Sequence, residues 1–132
     1  GRQSFSDWSF YALKRGKNVS LYEDVFFSPL SMLSLSECID RVISNPLSGI
    51  FNLGSRKGFS KADFVFKLAD ILNFDNVNLS KVLYKEQGFS TPRPFDMRMD
   101  STKFELAFYP DGLPTLEEEI NGIAGEYSNE RG

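Results

Sequence analysis

The chain has no histidine and a single cysteine, Cys38. Histidine is the commonest general base and a common metal ligand, so neither a Ser-His-Asp nor a Cys-His mechanism can operate within this chain. A zinc site would need carboxylates for almost all of its ligands, which differs from the usual Cys and His sets. One cysteine also cannot form an intrachain disulfide. We therefore expect no metal centre and no nucleophilic hydrolase.

Long apolar runs and clustered positive charge are also lacking. Lys and Arg are scattered and the net charge is −3, so the sequence has no basic stripe for nucleic acid. No apolar run approaches the roughly 20 residues that span a bilayer, and no basic head followed by an apolar segment marks a signal peptide. Together with the scarcity of cysteine, this predicts a cytoplasmic protein without a nucleic-acid or membrane partner.

The apolar residues that are present suffice for one core. Hydrophobic residues make up 41% of the 132 positions and include thirteen Phe, which predicts a single domain over 1–127 and a frayed tail over 128–132. Apolar periodicity, capping residues and short apolar runs predict mixed α and β structure, with a small few-stranded sheet packed with about five helices. The helices are expected at 5–15, 33–43, 61–72, 101–108 and 115–127, and the strands at 18–22, 50–53 and 81–84.

The helix at 33–43 carries an apolar stripe. Leu35, Cys38, Ile39 and Val42 recur at i, i+3, i+4 and i+7 and are expected to be buried together. Cys38 is therefore interpreted as a small buried hydrophobe and not as a reactive thiol. The acidic run Glu117–Glu119 opens the last helix, where carboxylates favour the positive end of the helix dipole, so it does not indicate a catalytic pair.

Three segments carry a recognisable pattern. Val19–Pro29 has the pattern of a strand, an Asp-containing turn and a Pro-bearing loop. Ile50–Ser60 has the pattern of a strand, a tight turn that Gly54 and Gly58 permit, and a helix cap. Thr91–Lys103 has the pattern of a Pro-braced loop that presents two arginines just before another helix.

In residue pattern and spacing these segments resemble the substrate-binding, C-terminal part of extended short-chain dehydrogenase/reductases that act on nucleotide-sugars. The resemblance is greatest to the dTDP-4-dehydrorhamnose reductases. The resemblance covers nearly the whole chain. It implies the C-terminal portion of an NAD(P)-binding Rossmann-type enzyme that lacks the dinucleotide-binding half. It also implies a nucleotide-sugar as ligand, NAD(P) as the cofactor of the parent enzyme, and an N-terminal cofactor domain as the missing partner.

The catalytic features of that family are lacking in this chain. Its glycines do not form the G-x-G-x-x-G turn that brings backbone close to a pyrophosphate. The family's Tyr-x-x-x-Lys proton donor has no match, since Tyr11 is followed by Lys14 and Tyr84 directly by Lys85. We therefore expect no catalytic and no cofactor-binding residue here, and no turnover by the chain alone.

Arg93 is the leading candidate for a binding residue. In relatives, the Arg of this loop contacts the substrate diphosphate, and a guanidinium donates in a fork to paired phosphate oxygens. The prolines on both sides fix φ and reduce the cost of ordering the loop. Arg98 could take the same role. The alternative is a surface ion pair of Arg93 with Asp96 or Asp100.

Phe26, Phe27 and Pro29 belong to the loop that, by the resemblance, lies beside the nucleotide-sugar. Many epimerases of the family carry a phosphate-binding Arg at this place, where this chain has Phe, and the difference favours the reductase branch. Phe26 and Phe27 could equally be core or interface residues.

Two other functions stay open on the sequence. The chain could be a non-catalytic structural or interaction module that keeps the fold, or the same portion of a nucleotide-sugar epimerase or dehydratase. A part separated from a cofactor domain should expose apolar surface, and could form a homodimer through that surface or through an unpaired strand edge. The aromatic-rich helices at 5–15 and 61–72 are the candidates for that face.

Overall fold

The computed structural model describes residues 2–75 and 77–131 and contains five α-helices and five short strands within them. The helices are α1 (Phe5–Lys14), α2 (Met32–Ser44), α3 (Lys61–Ile71), α4 (Thr102–Phe108) and α5 (Leu116–Arg131). The strands are β1 (Val19–Tyr22), β2 (Phe26–Phe27), β3 (Phe59–Ser60), β4 (Leu79–Val82) and β5 (Asp96–Met97), and a 3-10 turn covers Tyr84–Glu86. The predicted mixed fold with about five helices is confirmed.

The strands form two small sheets. Strands β1 and β4 pair in parallel, with Val19 opposite Leu79 and Tyr22 opposite Val82. Strand β2 is the centre of a three-stranded sheet, antiparallel to β3 and parallel to β5. This second sheet brings the start of α3 and the loop before β5 to opposite sides of β2.

Two hydrophobic clusters lie between these elements. The larger cluster joins α1, α3, α5 and β1, and its most deeply buried side chains include Phe10, Leu68 and Ile120. The Phe10 ring stacks on Tyr127 of α5 with centroids 4.4 Å apart. The smaller cluster lies under α2 and α4 and is formed by Cys38, Phe104, Phe108 and Leu113. As expected, Cys38 is a buried free thiol, and burial raises its pKa above the ordinary value.

Hydroxyl caps fix the beginnings of the helices. The hydroxyls of Ser4, Ser31 and Ser60 each accept a hydrogen bond from the backbone N–H three residues later, which satisfies one of the free donors of a first helical turn. Thr115 and Glu118 form the predicted reciprocal capping box before α5. Helix α5 continues to Arg131, beyond the Tyr127 expected as its last residue.

The strand expected at 50–53 is not formed. The segment belongs to no strand, among the described residues no backbone–backbone hydrogen bond pairs it with a neighbour, and Ile50 is 87% exposed. Phe51 and Leu53 pack against the smaller cluster. The apolar pattern therefore correctly predicted side chains that pack against a core, and the wrong step was to infer backbone pairing from it.

The two-residue strands β2, β3 and β5 were not predicted, because two residues leave no alternating pattern to detect.

The prediction of a buried apolar stripe on α2 is only partly correct. Cys38 is buried, whereas Ile39 is 51% exposed, so the inward face of α2 is narrower than its apolar stripe.

The start of α2 is held by an acidic side chain from another helix. The carboxylate of Glu119, only 7% exposed, accepts hydrogen bonds from the backbone N–H of Ser31 and from the Ser34 hydroxyl. Its negative charge lies at the N-terminus of α2, where the helix dipole favours it. Glu119 therefore couples α5 to the loop that carries Pro29, a role that the acidic run alone did not indicate.

None of the helices within 2–75 and 77–131 combines the length and apolar character that a membrane crossing would need.

Replacing Glu119 by Gln should destabilise the protein by about 1–2 kcal/mol, because the amide cannot accept both hydrogen bonds and lacks the charge. Urea unfolding followed by circular dichroism measures the difference. Glu117→Gln is the matched control, since Glu117 forms only a partly exposed ion pair with Lys67 and should contribute less than about 0.5 kcal/mol. Equal unfolding midpoints for the two variants would contradict the capping role.

Candidate functional site

A cavity of about 350 Å³ lies where α1, β1, the start of α3 and the loop before β5 meet. Its walls are mainly aromatic and apolar, and its polar side chains include two cations and no carboxylate. We call it the aromatic cavity and define it by Phe5, Trp8, Tyr22, Lys61, Tyr84 and Arg93. Its volume lies at the lower end of the range of about 300–1,000 Å³ that is typical of small-molecule sites.

Tyr84 anchors the loop that carries Arg93. Its ring packs edge-on against Tyr22, with centroids 5.2 Å apart, and stacks on Phe89 at 5.1 Å. Its hydroxyl donates a hydrogen bond to the carbonyl of Thr91, 3.2 Å away. These contacts hold both ends of the segment that leads into Arg93.

Two hydrogen bonds tie the same loop to the β1–β2 turn. The carboxylate of Asp24 accepts from the backbone N–H of Tyr84 at 2.8 Å, and the N–H of Phe26 donates to the carbonyl of Phe95 at 2.7 Å. Burial acts to raise the pKa of Asp24, but the hydrogen bonds from the N–H groups of Tyr84 and Lys85 outweigh it, and the pKa lies below its ordinary value. The Asp-containing turn thus positions the Arg93 loop.

Arg93 lines the aromatic cavity and also a smaller neighbouring depression beside Tyr22 and Phe89. Neither of the acidic partners considered for it is engaged with it. Asp96 pairs with Arg98, and Asp100 accepts from the backbone N–H and the hydroxyl of Thr102. Arg93 is exposed, and within the described residues it forms no ion pair. Its guanidinium can therefore bind an anion without first losing a partner.

Arg98 lies elsewhere. Its Nη2 is 2.5 Å from Oδ2 of Asp96 and its Nε is 2.8 Å from Oδ1, and this fork lowers the pKa of Asp96 to about 2. The guanidinium lies over the ring of Phe26, 4.8 Å from its centre. Arg98 is therefore occupied within its own loop and does not line the aromatic cavity.

The three residues expected beside a nucleotide-sugar do not converge on one cavity. Phe27 packs against Phe5 and Phe64, with ring centroids 5.5 and 5.3 Å away, and contacts the lining of the aromatic cavity through Phe5 and Lys61. Phe27 and Pro29 both line a separate cavity of about 370 Å³ beside α5. Phe26 lies beneath Arg98.

Lys61 is a cavity residue that the sequence did not indicate. Its Nζ lies 3.7 Å from the ring centre of Phe27 and 4.2 Å from that of Phe5, and burial lowers its pKa below the ordinary value. In the sequence it follows the Ser60 cap as an ordinary first helical residue. No local pattern distinguishes it, because the two rings come from α1 and β2.

Solved structures similar to this chain are nucleotide-sugar enzymes. The dTDP-4-dehydrorhamnose reductases of Yersinia enterocolitica and of Bacillus anthracis, the latter in complex with NADP, both match with a TM-score of 0.81, at 19% and 21% identity. Each match covers 96% of this chain and 44% of the reductase. A dTDP-glucose 4,6-dehydratase of B. anthracis in complex with NAD matches with a TM-score of 0.72 at 15% identity, over 96% of this chain and 39% of that enzyme.

These matches confirm the fold inferred from the sequence. The chain has the fold of a portion of Rossmann-type NAD(P)-dependent nucleotide-sugar enzymes and spans less than half the length of the reductases. At identities near 20% the similarity establishes the fold and not the activity.

Comparisons of sequence add little to this. No protein-family model matches the chain. The 5-dehydro-2-deoxygluconokinase of Clostridium botulinum is 30% identical over 88 residues, which cover 64% of this chain and only 26% of that kinase. The kinase differs in named activity from the structural neighbours, and a match to about a quarter of its length assigns no activity to this chain.

Gly54 and Gly58 allow backbone segments beside the site to approach closely. A Cβ on Gly54 would lie 2.6 Å from the carbonyl oxygen of Ser28, and one on Gly58 would overlap the carbonyl oxygen of Phe27. Neither glycine has a positive φ, and the left-handed residue of this turn is Lys57, with φ of 51°. The glycines are therefore required by close packing, and not by the turn geometry that the sequence indicated.

Substituting Ala for Gly58 should destabilise the protein by about 1–3 kcal/mol, because the methyl group forces β2 and the segment before β3 apart. The unfolding midpoint in urea measures this. Gly122→Ala in α5 is the matched control: nothing lies within 4 Å of its Cβ, and a helical Gly to Ala change should stabilise by about 0.5–1 kcal/mol. A Gly58→Ala variant as stable as the unaltered chain would disprove the close approach.

Proposed function

We propose that this chain is the nucleotide-sugar-binding portion of an NAD(P)-dependent sugar-nucleotide reductase of the dTDP-4-dehydrorhamnose reductase type, and that it is not catalytic by itself. The observation that carries the proposal is the aromatic cavity, in which Arg93 is free of any acidic partner within the described chain. The shared fold with reductases of this type supports the same assignment.

The chemistry of the cavity suits a nucleoside diphosphate. Trp8, Tyr22 and Tyr84 offer flat apolar surface on which a base or a sugar can pack. The guanidinium of Arg93 can donate two parallel hydrogen bonds to diphosphate oxygens. Because no carboxylate lines the cavity, an anionic ligand meets no like charge there.

The residues of this chain would bind and orient the sugar nucleotide and exclude water from it. NAD(P) supplies the hydride in a reductase, and this chain has neither the glycine-rich turn nor the Tyr-x-x-x-Lys pair that would hold and use that cofactor. Its contribution is therefore position, and the redox step belongs to another part of the parent enzyme.

A reductase parent is favoured over a dehydratase or epimerase parent. The reductases match this chain with a TM-score of 0.81 and the dehydratase with 0.72. By the resemblance, many epimerases carry a phosphate-binding Arg at the place where this chain has Phe. Arg98 does not replace that Arg, because it is paired with Asp96.

Arg93→Ala should weaken binding of dTDP to the chain at least about tenfold, because it removes a charge-assisted fork to the diphosphate. Isothermal titration measures the affinity. Arg98→Ala is the matched control from the same loop and should change the affinity less than about twofold, since Arg98 lies outside the cavity.

Failure of the unaltered chain to bind dTDP would contradict the proposal and favour a structural or interaction module. Equal losses of dTDP affinity in Arg93→Ala and Arg98→Ala would contradict the binding role of Arg93. The unaltered chain should also show no NADPH oxidation with a dTDP-4-keto sugar, and measurable oxidation would refute the non-catalytic assignment.

One apolar face of α2 is exposed to solvent. On α2, Met32, Ile39 and Ile43 share one side of the helix and are 76%, 51% and 71% exposed. The segment Ile50–Leu53 forms no backbone–backbone hydrogen bond among the described residues, and the Ile50 carbonyl accepts one from Nζ of Lys103. Helices α1 and α3, the candidates from the sequence, pack into the larger cluster on one side and expose Trp8 and Phe66 on the other, so they present a smaller apolar surface than α2.

We propose that the cofactor-binding half of the reductase covers this α2 face, since the chain has the fold of less than half of such an enzyme. Exposed apolar patches of this kind mark interaction surfaces and cause self-association when their partner is missing. A homodimer through the same face is the outcome to be distinguished.

Ile43→Glu should reduce self-association of the isolated chain and leave dTDP affinity unchanged, because it adds a charge to the α2 face, which does not line the aromatic cavity. Sedimentation velocity over a concentration series measures the assembly. Asn121→Glu, an exposed position on α5, controls for the added charge. A chain that is strictly monomeric and binds no hydrophobic dye would argue against a missing partner on this face.

A further inference from the structure

Lys61 places an unpaired ammonium group in the wall of the aromatic cavity. Its Nζ lies against the rings of Phe27 and Phe5, at 3.7 and 4.2 Å from their centres. Among the described residues it has neither an ion pair nor a side-chain hydrogen bond. This isolation distinguishes it from Lys67 and Lys81, which pair with Glu117 and Asp63.

Four acidic residues of the surrounding elements are engaged elsewhere: Asp7, Asp24, Asp63 and Asp96. Asp7 of α1 accepts hydrogen bonds from Ser4 and from the Tyr127 hydroxyl. Asp63 of α3 binds Lys81. Asp24 of the β1–β2 turn and Asp96 of β5 are likewise occupied, by backbone N–H groups and by Arg98. Within residues 2–75 and 77–131, no carboxylate forms an ion pair with Lys61.

A half-buried cation without a counter-charge carries a desolvation cost. Two aromatic faces offset part of it, since the ring quadrupole attracts a cation. Burial lowers the pKa of Lys61 below its ordinary value. An anion that enters the cavity would meet this ammonium in a medium of lower dielectric than water, where the attraction is strong.

We infer that Lys61 is a second anion-binding residue of the aromatic cavity and, together with Arg93, selects a ligand that carries a phosphate or diphosphate next to an aromatic base. The inference rests on the proposed function for the identity of the ligand as a nucleotide. In this proposal Lys61 binds the phosphate or diphosphate of the ligand, and the aromatic walls pack against its base.

Three probes separate these contributions in titrations of the 132-residue chain: inorganic pyrophosphate, thymidine and dTDP. Lys61→Met keeps an unbranched side chain that is only one atom shorter and can still pack on the two rings, but removes the charge. It should weaken pyrophosphate and dTDP binding at least about tenfold and leave thymidine binding unchanged. Lys61→Arg, which keeps the charge, should retain most of the affinity for both anions.

Lys103→Met is the matched control. The Nζ of Lys103 also lies over a ring, 4.6 Å from the centre of Phe51, but the residue is exposed and does not line the aromatic cavity. It should leave all three affinities unchanged. Urea unfolding of each variant shows whether the fold is intact, and Lys61→Arg tests the charge should Lys61→Met be less stable.

Equal affinity of the unaltered chain and Lys61→Met for pyrophosphate and for dTDP would overturn the inference and leave the proposed function standing. If Lys61→Met loses pyrophosphate binding while dTDP binds no more tightly than pyrophosphate, Lys61 keeps its role and the nucleotide assignment fails. Absence of binding of both anions by the unaltered chain overturns both.

Discussion

Strand β2, only two residues long, is the constraint on which the site depends. Phe26 and Phe27 pair with β3 on one side and with β5 on the other. The N–H of Lys61 donates to the carbonyl of Val25, just before β2, at 2.8 Å. One short stretch of backbone thus sets the position of the cation at the start of α3 and of the loop that carries Arg93. The glycines beside it are needed because Phe27 and its neighbours must approach so closely.

The two cations of the cavity are kept free because other parts of the chain neutralise the nearby carboxylates. Asp96 could have paired with Arg93, but Arg98 binds it in a fork. Asp63 lies in the same helix as Lys61, but Lys81 of β4 binds it. In a chain with net charge −3, a cavity lined by two cations and no acid requires this distribution of partners. Electrostatic complementarity to an anion is therefore a property of the whole fold and not of one loop.

Local rules predicted the parts of the structure that local interactions determine. The five helices follow from apolar periodicity and from caps such as Ser60 and Thr115, each of which needs only a few consecutive residues. Backbone pairing depends on distant partners, so β2, β3 and β5 escaped detection and the segment 50–53 was wrongly assigned as a strand. The site divides in the same way. Arg93 could be proposed from its own loop, whereas Lys61 is defined by rings from α1 and β2 that no spacing in the sequence connects to it.

The incorrect prediction of a strand at 50–53 and the exposure of the α2 face have the same physical explanation. Both segments carry apolar patterns that are typical of buried structure, and in this chain each is buried on one side only, through Phe51 and Cys38. The exposed apolar side of each segment is the side that a larger fold would cover. The cavity is formed without any such cover, since its walls come from elements that pack into the larger cluster or pair with β2. The proposed ligand site and the proposed docking surface therefore share no residue, and a substitution on α2 can test one without altering the lining of the other.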